Sequence, residues 1–145
     1  FAALHTFEPN VDAMKCWIRN LPVGGDITMH ACALGAGRST VMLAQEPGQS
    51  GGNHVTTIDH GTIEQHTLDS FNFRDVDLIK IDVEGYETAV LEGARETLRR
   101  CRPIVIVEDV LWARYGYMQP ASAYLDQLGM RQRTALGPDK IYEWP

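Results

Sequence analysis

A lysine and two carboxylates stand along one apolar segment, "DLIKIDVEGYE", residues 77–87. Successive side chains of a strand point to opposite faces. Leu78, Lys80, Asp82 and Glu84 therefore share one face, and Ile79, Ile81 and Val83 share the other. A buried lone lysine is costly unless it is paired. A carboxylate two positions along, or one on a neighbouring strand, would supply the partner. Lys80 would then orient an acid at the strand end, where a ligand arrives. Asp82 holds that position and is the leading candidate for acid–base or orienting chemistry. For Lys80 the competing reading is a plain structural ion pair. For Glu84 it is an acid that suits the start of the following helix.

In open α/β sheets, ligands bind beyond the carboxyl ends of the strands. Three of the four strand ends in this chain are acidic: Glu8-Pro9-Asn10, Asp82 to Gly85, and Glu108-Asp109. An acid at the end of the strand after a glycine-rich turn commonly takes both ribose hydroxyls of a nucleotide cofactor. Glu8 fits that role, or else is a surface turn acid. The remaining end, "ALGAGRST", carries a lone GxG without the third glycine or a GK[ST]. The β-branched "STVML" after it argues against a supporting helix. Asp82 and Glu108 could hold a hard cation, which takes oxygen ligands, but such pairs are common without one and no metal is assigned. His54, His60 and His66 lack converging zinc spacing and read as loop or surface residues.

The elements that must position these residues alternate. Leu4 to Phe7 reads as a short strand. "VDAMKCWIRNLP" places Val11, Met14, Ile18 and Leu21 at helical spacing, stopped by Pro22 and Gly24-Gly25. "ITMHACAL" reads as a second strand, "PGQSGGN" as the most flexible loop, and "TIEQHTLDSF" as partly extended. "VDLIKIDV" is a buried strand, and "YETAVLEGARETLRRC" is one helix with an apolar stripe of Val90, Leu91, Ala94, Leu98 and Cys101. "IVIVE" is a continuous apolar strand, the mark of a strand covered on both faces. "ASAYLDQLG" is a helix stopped by Gly129, and "MRQRTAL" with "KIYEW" forms a hairpin around "GPD". The alternation predicts an α/β sheet with helices on both faces.

The 145 residues suit one domain, and 44% hydrophobic residues suit a real core. A net charge of -6 disfavours nucleic acid as a partner. The basic run "RETLRRCR" reads as the end of a helix complementing its dipole. Three cysteines without a CxxC pair argue against a disulfide framework and for a reducing, cytoplasmic setting. No apolar run approaches the ~20 residues a membrane-spanning helix needs.

"FEPN", "ACALGAGRSTVML", "TLDSF" and "VDLIKIDVEGYETAVLEGARETLRRCRPIVIVE" together resemble the FkbM family of S-adenosylmethionine-dependent methyltransferases. "KIDVEGYE" followed by "VLEGA" is the most specific part. The resemblance implies a Rossmann-like methyltransferase fold with a seven-stranded sheet and a closing antiparallel hairpin. It implies O-methylation of a small-molecule or glycan hydroxyl. Glu8, with Asn10 beside it, would bind the cofactor at the ribose, and Ala33 and Leu34 would border the adenine. Asp82 and Glu84 would lie near the sulfonium and the acceptor, with Asp82 the base and Lys80 or Glu84 tuning it. The family's first strand and glycine-rich loop should precede "FEPN", between the Glu8 and Lys80 strands. The chain, which starts at Phe1, is expected to be N-terminally incomplete. Two other classes stay open: an NAD-linked oxidoreductase using "GAG", and a binding or scaffold domain without catalysis.

Overall fold

A computed structural model describes residues 3–20, 26–45, 53–110, 113, 116 and 119–145. Among the described residues, ten strands form three sheets. β1 (Leu4–Phe7) and β2 (Ile27–His30) make a parallel pair. Between them runs α1 (Val11–Asn20), whose first N–H groups are capped by Asn10: its Oδ1 accepts from Asp12 N–H at 2.9 Å and Ala13 N–H at 3.3 Å. The expected stripe of α1 is not covered. Val11 is 61% and Ile18 59% exposed, while Met14 is half-buried. Leu21, the Pro22 and Gly24-Gly25 stop and the loop at residues 47–52 lie outside the described residues.

A second sheet has the order β3–β6–β4–β5, with β3 (Ala33–Leu34), β4 (Ser39–Gln45), β5 (Asn53–Ile58) and β6 (Ile63–His66). "ITMHACAL" is thus two strands in two sheets, parted at Ala31-Cys32. The third sheet has the order β7–β8–β10–β9. β7 (Leu78–Ile81) and β8 (Ile104–Glu108) are parallel, and β10 (Asp139–Glu143) joins β8 and β9 (Arg131–Leu136) antiparallel. The closing hairpin turns at Gly137, which has φ +63°. The expected single seven-stranded sheet is not formed among the described residues: β1 and β7 share no ladder. Instead the β1–β2 pair leans on the 3-10 helix Leu68–Phe71 and the loop after it through rings, with His5 4.5 Å from Phe73 and Phe7 5.0 Å from Phe71.

The expected single helix is two, α2 (Glu87–Glu92) and α3 (Arg95–Cys101). Gly93 sits at the break because a Cβ there would collide with the Gly35 carbonyl. The opening N–H groups of α3 are taken by a distant side chain: Asp69 accepts from Thr97 N–H at 2.7 Å and Glu96 N–H at 3.0 Å. Val90, Leu91, Ala94 and Leu98 are buried in the core as expected, with Val105 and Val107 of β8 and Leu125 of α4 (Ala121–Gln127); Cys101 is only half-buried. β8 is covered on one face only: Ile104 is exposed while Val105 and Val107 are fully buried.

Candidate functional site

The carboxyl ends of β7 and β8 bring three acids into a row. In the parallel register Ile81 faces Val107, so Asp82 lies beside Glu108. Across the antiparallel ladder Glu108 faces Asp139. Lys80 Nζ bridges the flanks, donating to Asp82 Oδ2 at 3.2 Å and Asp139 Oδ1 at 3.3 Å. Lys80 is not the buried cation the sequence suggested. Its side chain is 48% exposed, because the Leu78–Lys80 face of β7 is open. Burial lowers its pKa, but the hydrogen bonds and charges of Asp82 and Asp139 outweigh that and raise it.

Glu108 is the perturbed acid. Its hydrogen bond with Asp82 comes first, followed by desolvation and the charges of Asp82, Glu84 and Asp139, and together they push its pKa up to about 7. The acid raised is Glu108, held by its hydrogen bond with Asp82. Asp109, the next residue, does something else. Its side chain fully buried, it accepts from Lys140 Nζ at 2.8 Å and from Ala121 N–H at 2.9 Å, fixing α4 to the hairpin. Desolvation raises its pKa, but Lys140 and Ser122 lower it further.

A tight turn carries Glu84 between β7 and α2. Glu84 has φ +55° and Gly85 φ +99°, so Glu84 precedes the helix and is not in its first turn. The first-turn acid is Glu87, 2% exposed, whose Oε1 accepts from Gly85 N–H at 3.0 Å and Val83 N–H at 3.1 Å. Burial raises the Glu87 pKa against those bonds. A non-glycine residue in the left-handed region costs about 1–3 kcal/mol and persists where surroundings hold it; here the Glu87 carboxylate does the holding.

The residues expected to bind cofactor are placed apart from this cluster, on other sheets. Glu8 follows β1, with its N–H donating to His30 carbonyl at 3.1 Å, and its Oε1 accepts Asn10 N–H at 2.7 Å. Asn10 is occupied as the cap of α1. Ala33 is buried in β3, and Leu34 is half-buried beside it. The "GAG" loop leads into strand β4, not a helix, so it lacks the helix N-terminus that a dinucleotide pyrophosphate needs. Sequence reasoning missed Asp139, hidden as a turn acid in "GPD", and the structural work of Glu87. The i, i+3 spacing of Glu84 and Glu87 gave no sign that one would fold the other's turn.

Parallel strands that close in an antiparallel hairpin, with acids at their carboxyl edge, define an α/β protein similar in fold to a crystal structure of the methyltransferase FkbM from Methylobacillus flagellatus KT. That likeness has a TM-score of 0.57 at 18% identity and covers 99% of this chain and 37% of that one. Residues 2–129 match the methyltransferase FkbM domain, and the chain belongs to the FkbM methyltransferase family. No protein of curated function matches it. Adenosylmethionine, the cofactor such a family suggests, finds a partial fit. Glu8 offers a ribose-type carboxylate with one oxygen already engaged, and the described residues contain no glycine-rich loop opening a helix.

Proposed function

We propose that this chain is the core of an adenosylmethionine-dependent O-methyltransferase with a Rossmann-like sheet, acting on a hydroxyl of a small molecule or glycan. The observation that carries the reading is Glu108, hydrogen-bonded to Asp82 at the carboxyl edge of β7 and β8 and pushed up to about 7, in a chain of this family. A base whose pKa lies near the working pH is best matched to moving a proton. Glu8 would hold the ribose, and the backbone around Ala33 and Leu34 would flank the adenine. Adenosylmethionine, when bound, supplies an electrophilic methyl group.

The protein's part is to align the acceptor oxygen and remove its proton. Asp82 would accept the hydroxyl proton as the methyl group passes from the sulfonium to the acceptor oxygen and S-adenosylhomocysteine leaves, and Glu108 would take up part of the charge change through its hydrogen bond with Asp82. Lys80 holds Asp82 and Asp139 in place by donating to both. Glu84 is held close enough for its charge to reach Glu108. The "GAG" loop running into a strand speaks against the dinucleotide alternative. The test is release of S-adenosylhomocysteine from adenosylmethionine in the presence of a hydroxyl-bearing metabolite extract. The full-length protein should release it with the extract and not without. Extract-independent or absent release would defeat the proposal.

A further inference from the structure

Asp139 owes its place to topology. β10 runs antiparallel to β8, so the first residue of β10 stands level with the last residue of β8, at the carboxyl edge of the sheet. Glu108 is thereby flanked by a carboxylate on each side, Asp82 after β7 and Asp139 on β10. Lys80 pairs in register with Ile106, two residues before Glu108, and so shares that strand face with Glu108. From there its Nζ reaches both flanking acids, at 3.2 Å from Asp82 and 3.3 Å from Asp139. Asp139 lies outside residues 2–129, the stretch that matches the family domain, so the closing hairpin brings a residue of its own to this edge.

The charged groups facing Glu108 are Asp82 and Lys80 from β7, Glu84 from the turn after it, and Asp139 from β10. The neighbours Asp109 and Lys140 pair with each other at 2.8 Å. Asp139 acts on Glu108 in two ways with the same sign. Its own negative charge opposes a second one on Glu108. It also takes up part of the Lys80 charge, which would otherwise favour an ionised Glu108. We propose that Asp139 is a positioning residue of the carboxylate edge, sharing the Lys80 ammonium with Asp82 and setting the charge that Glu108 faces. What that edge does rests on the O-methyltransferase reading above.

Carboxyl carbon-13 NMR titration of the full-length protein reads Glu108 directly, its resonance identified by its loss in Glu108→Gln. No adenosylmethionine or acceptor is added, so failure of this proposal and failure of methyl transfer are separate results. The wild-type midpoint should lie at about 7. Asp139→Asn keeps an oxygen for Lys80 Nζ and removes the charge. The midpoint should then fall by about half a pH unit, a fraction of what a charge in direct contact gives. Asp139→Glu should restore it, and Asp139→Ser removes the charge by a second route should Asp139→Asn not fold. An Asp139 that only pinned the hairpin would lower the denaturant midpoint of its variants and leave Glu108 where it was. An unmoved Glu108 in folded Asp139→Asn or Asp139→Ser, or an equal fall in Asp139→Glu, would overturn the proposal.

Discussion

Glu108, hydrogen-bonded to Asp82 at the carboxyl edge of β7 and β8, gives stability a pH dependence. For Glu108 the folded pKa, about 7, lies above the ordinary 4.5. An acid raised on folding favours the native state fully below its unfolded pKa and loses that contribution as pH rises through the folded value. Denaturant midpoints of the wild type should therefore fall between about pH 4.5 and 7, and Glu108→Gln should flatten that slope. Equal slopes would mean Glu108 ionises normally. Methyl transfer should rise with pH through the same window. Asp82→Asn should keep the fold and cut the rate by about a hundredfold or more, the scale of a positioned acid–base group. Lys80→Met should move the rising limb to higher pH, since a nearby cation lowers a carboxylate's pKa; an unmoved limb would make Lys80 a bystander. The Lys80–Asp82 contact was legible because two residues on one strand share a face whatever the tertiary structure. The neighbours Glu108 and Asp139 were less so: Glu108 entered only as a possible partner, and Asp139 not at all. Their approach depends on cross-strand register, which no local pattern encodes.

At the level of elements, the helix of residues 86–101 illustrates how contact overrides periodicity. Its apolar stripe was readable, and Leu98 is fully buried in it. Leu98→Ala should cost about 2–5 kcal/mol in a denaturant melt, as buried leucines do, and a smaller loss would mean the site collapses freely. The break at Gly93 was not readable, since an isolated glycine is tolerated in helices. Its cause is the Gly35 carbonyl, 58 positions earlier by subtraction of the two residue numbers. Gly93→Ala, normally stabilising in a helix, should here destabilise by about 1–3 kcal/mol, as overpacking does. A gain in stability would show that the two glycines do not touch. Asp69, far away in sequence, caps α3, so "TLDSF", read as partly extended, is a short 3-10 helix (Leu68–Phe71) that anchors α3.

For the molecule as a whole, β1, β7, β8 and the closing hairpin followed from local patterning and turn chemistry, whereas strands β4 and β5 were not predicted. The division into three sheets did not follow, because strand pairing is a long-range property. α1 shows the same limit: its stripe was correctly spaced, but whether anything covers it cannot be read from spacing. The central claim is that Glu8, at the end of β1, and the Asp82–Glu108 pair serve one adenosylmethionine site. Calorimetric titration of adenosylmethionine into the full-length protein and into its Glu8→Gln variant tests this most directly. The account predicts one site per chain, weakened in the variant by about 1–3 kcal/mol, the cost of losing a charged hydrogen-bond acceptor. Affinity that is absent in the wild type, or unchanged in a folded Glu8→Gln variant, would contradict it.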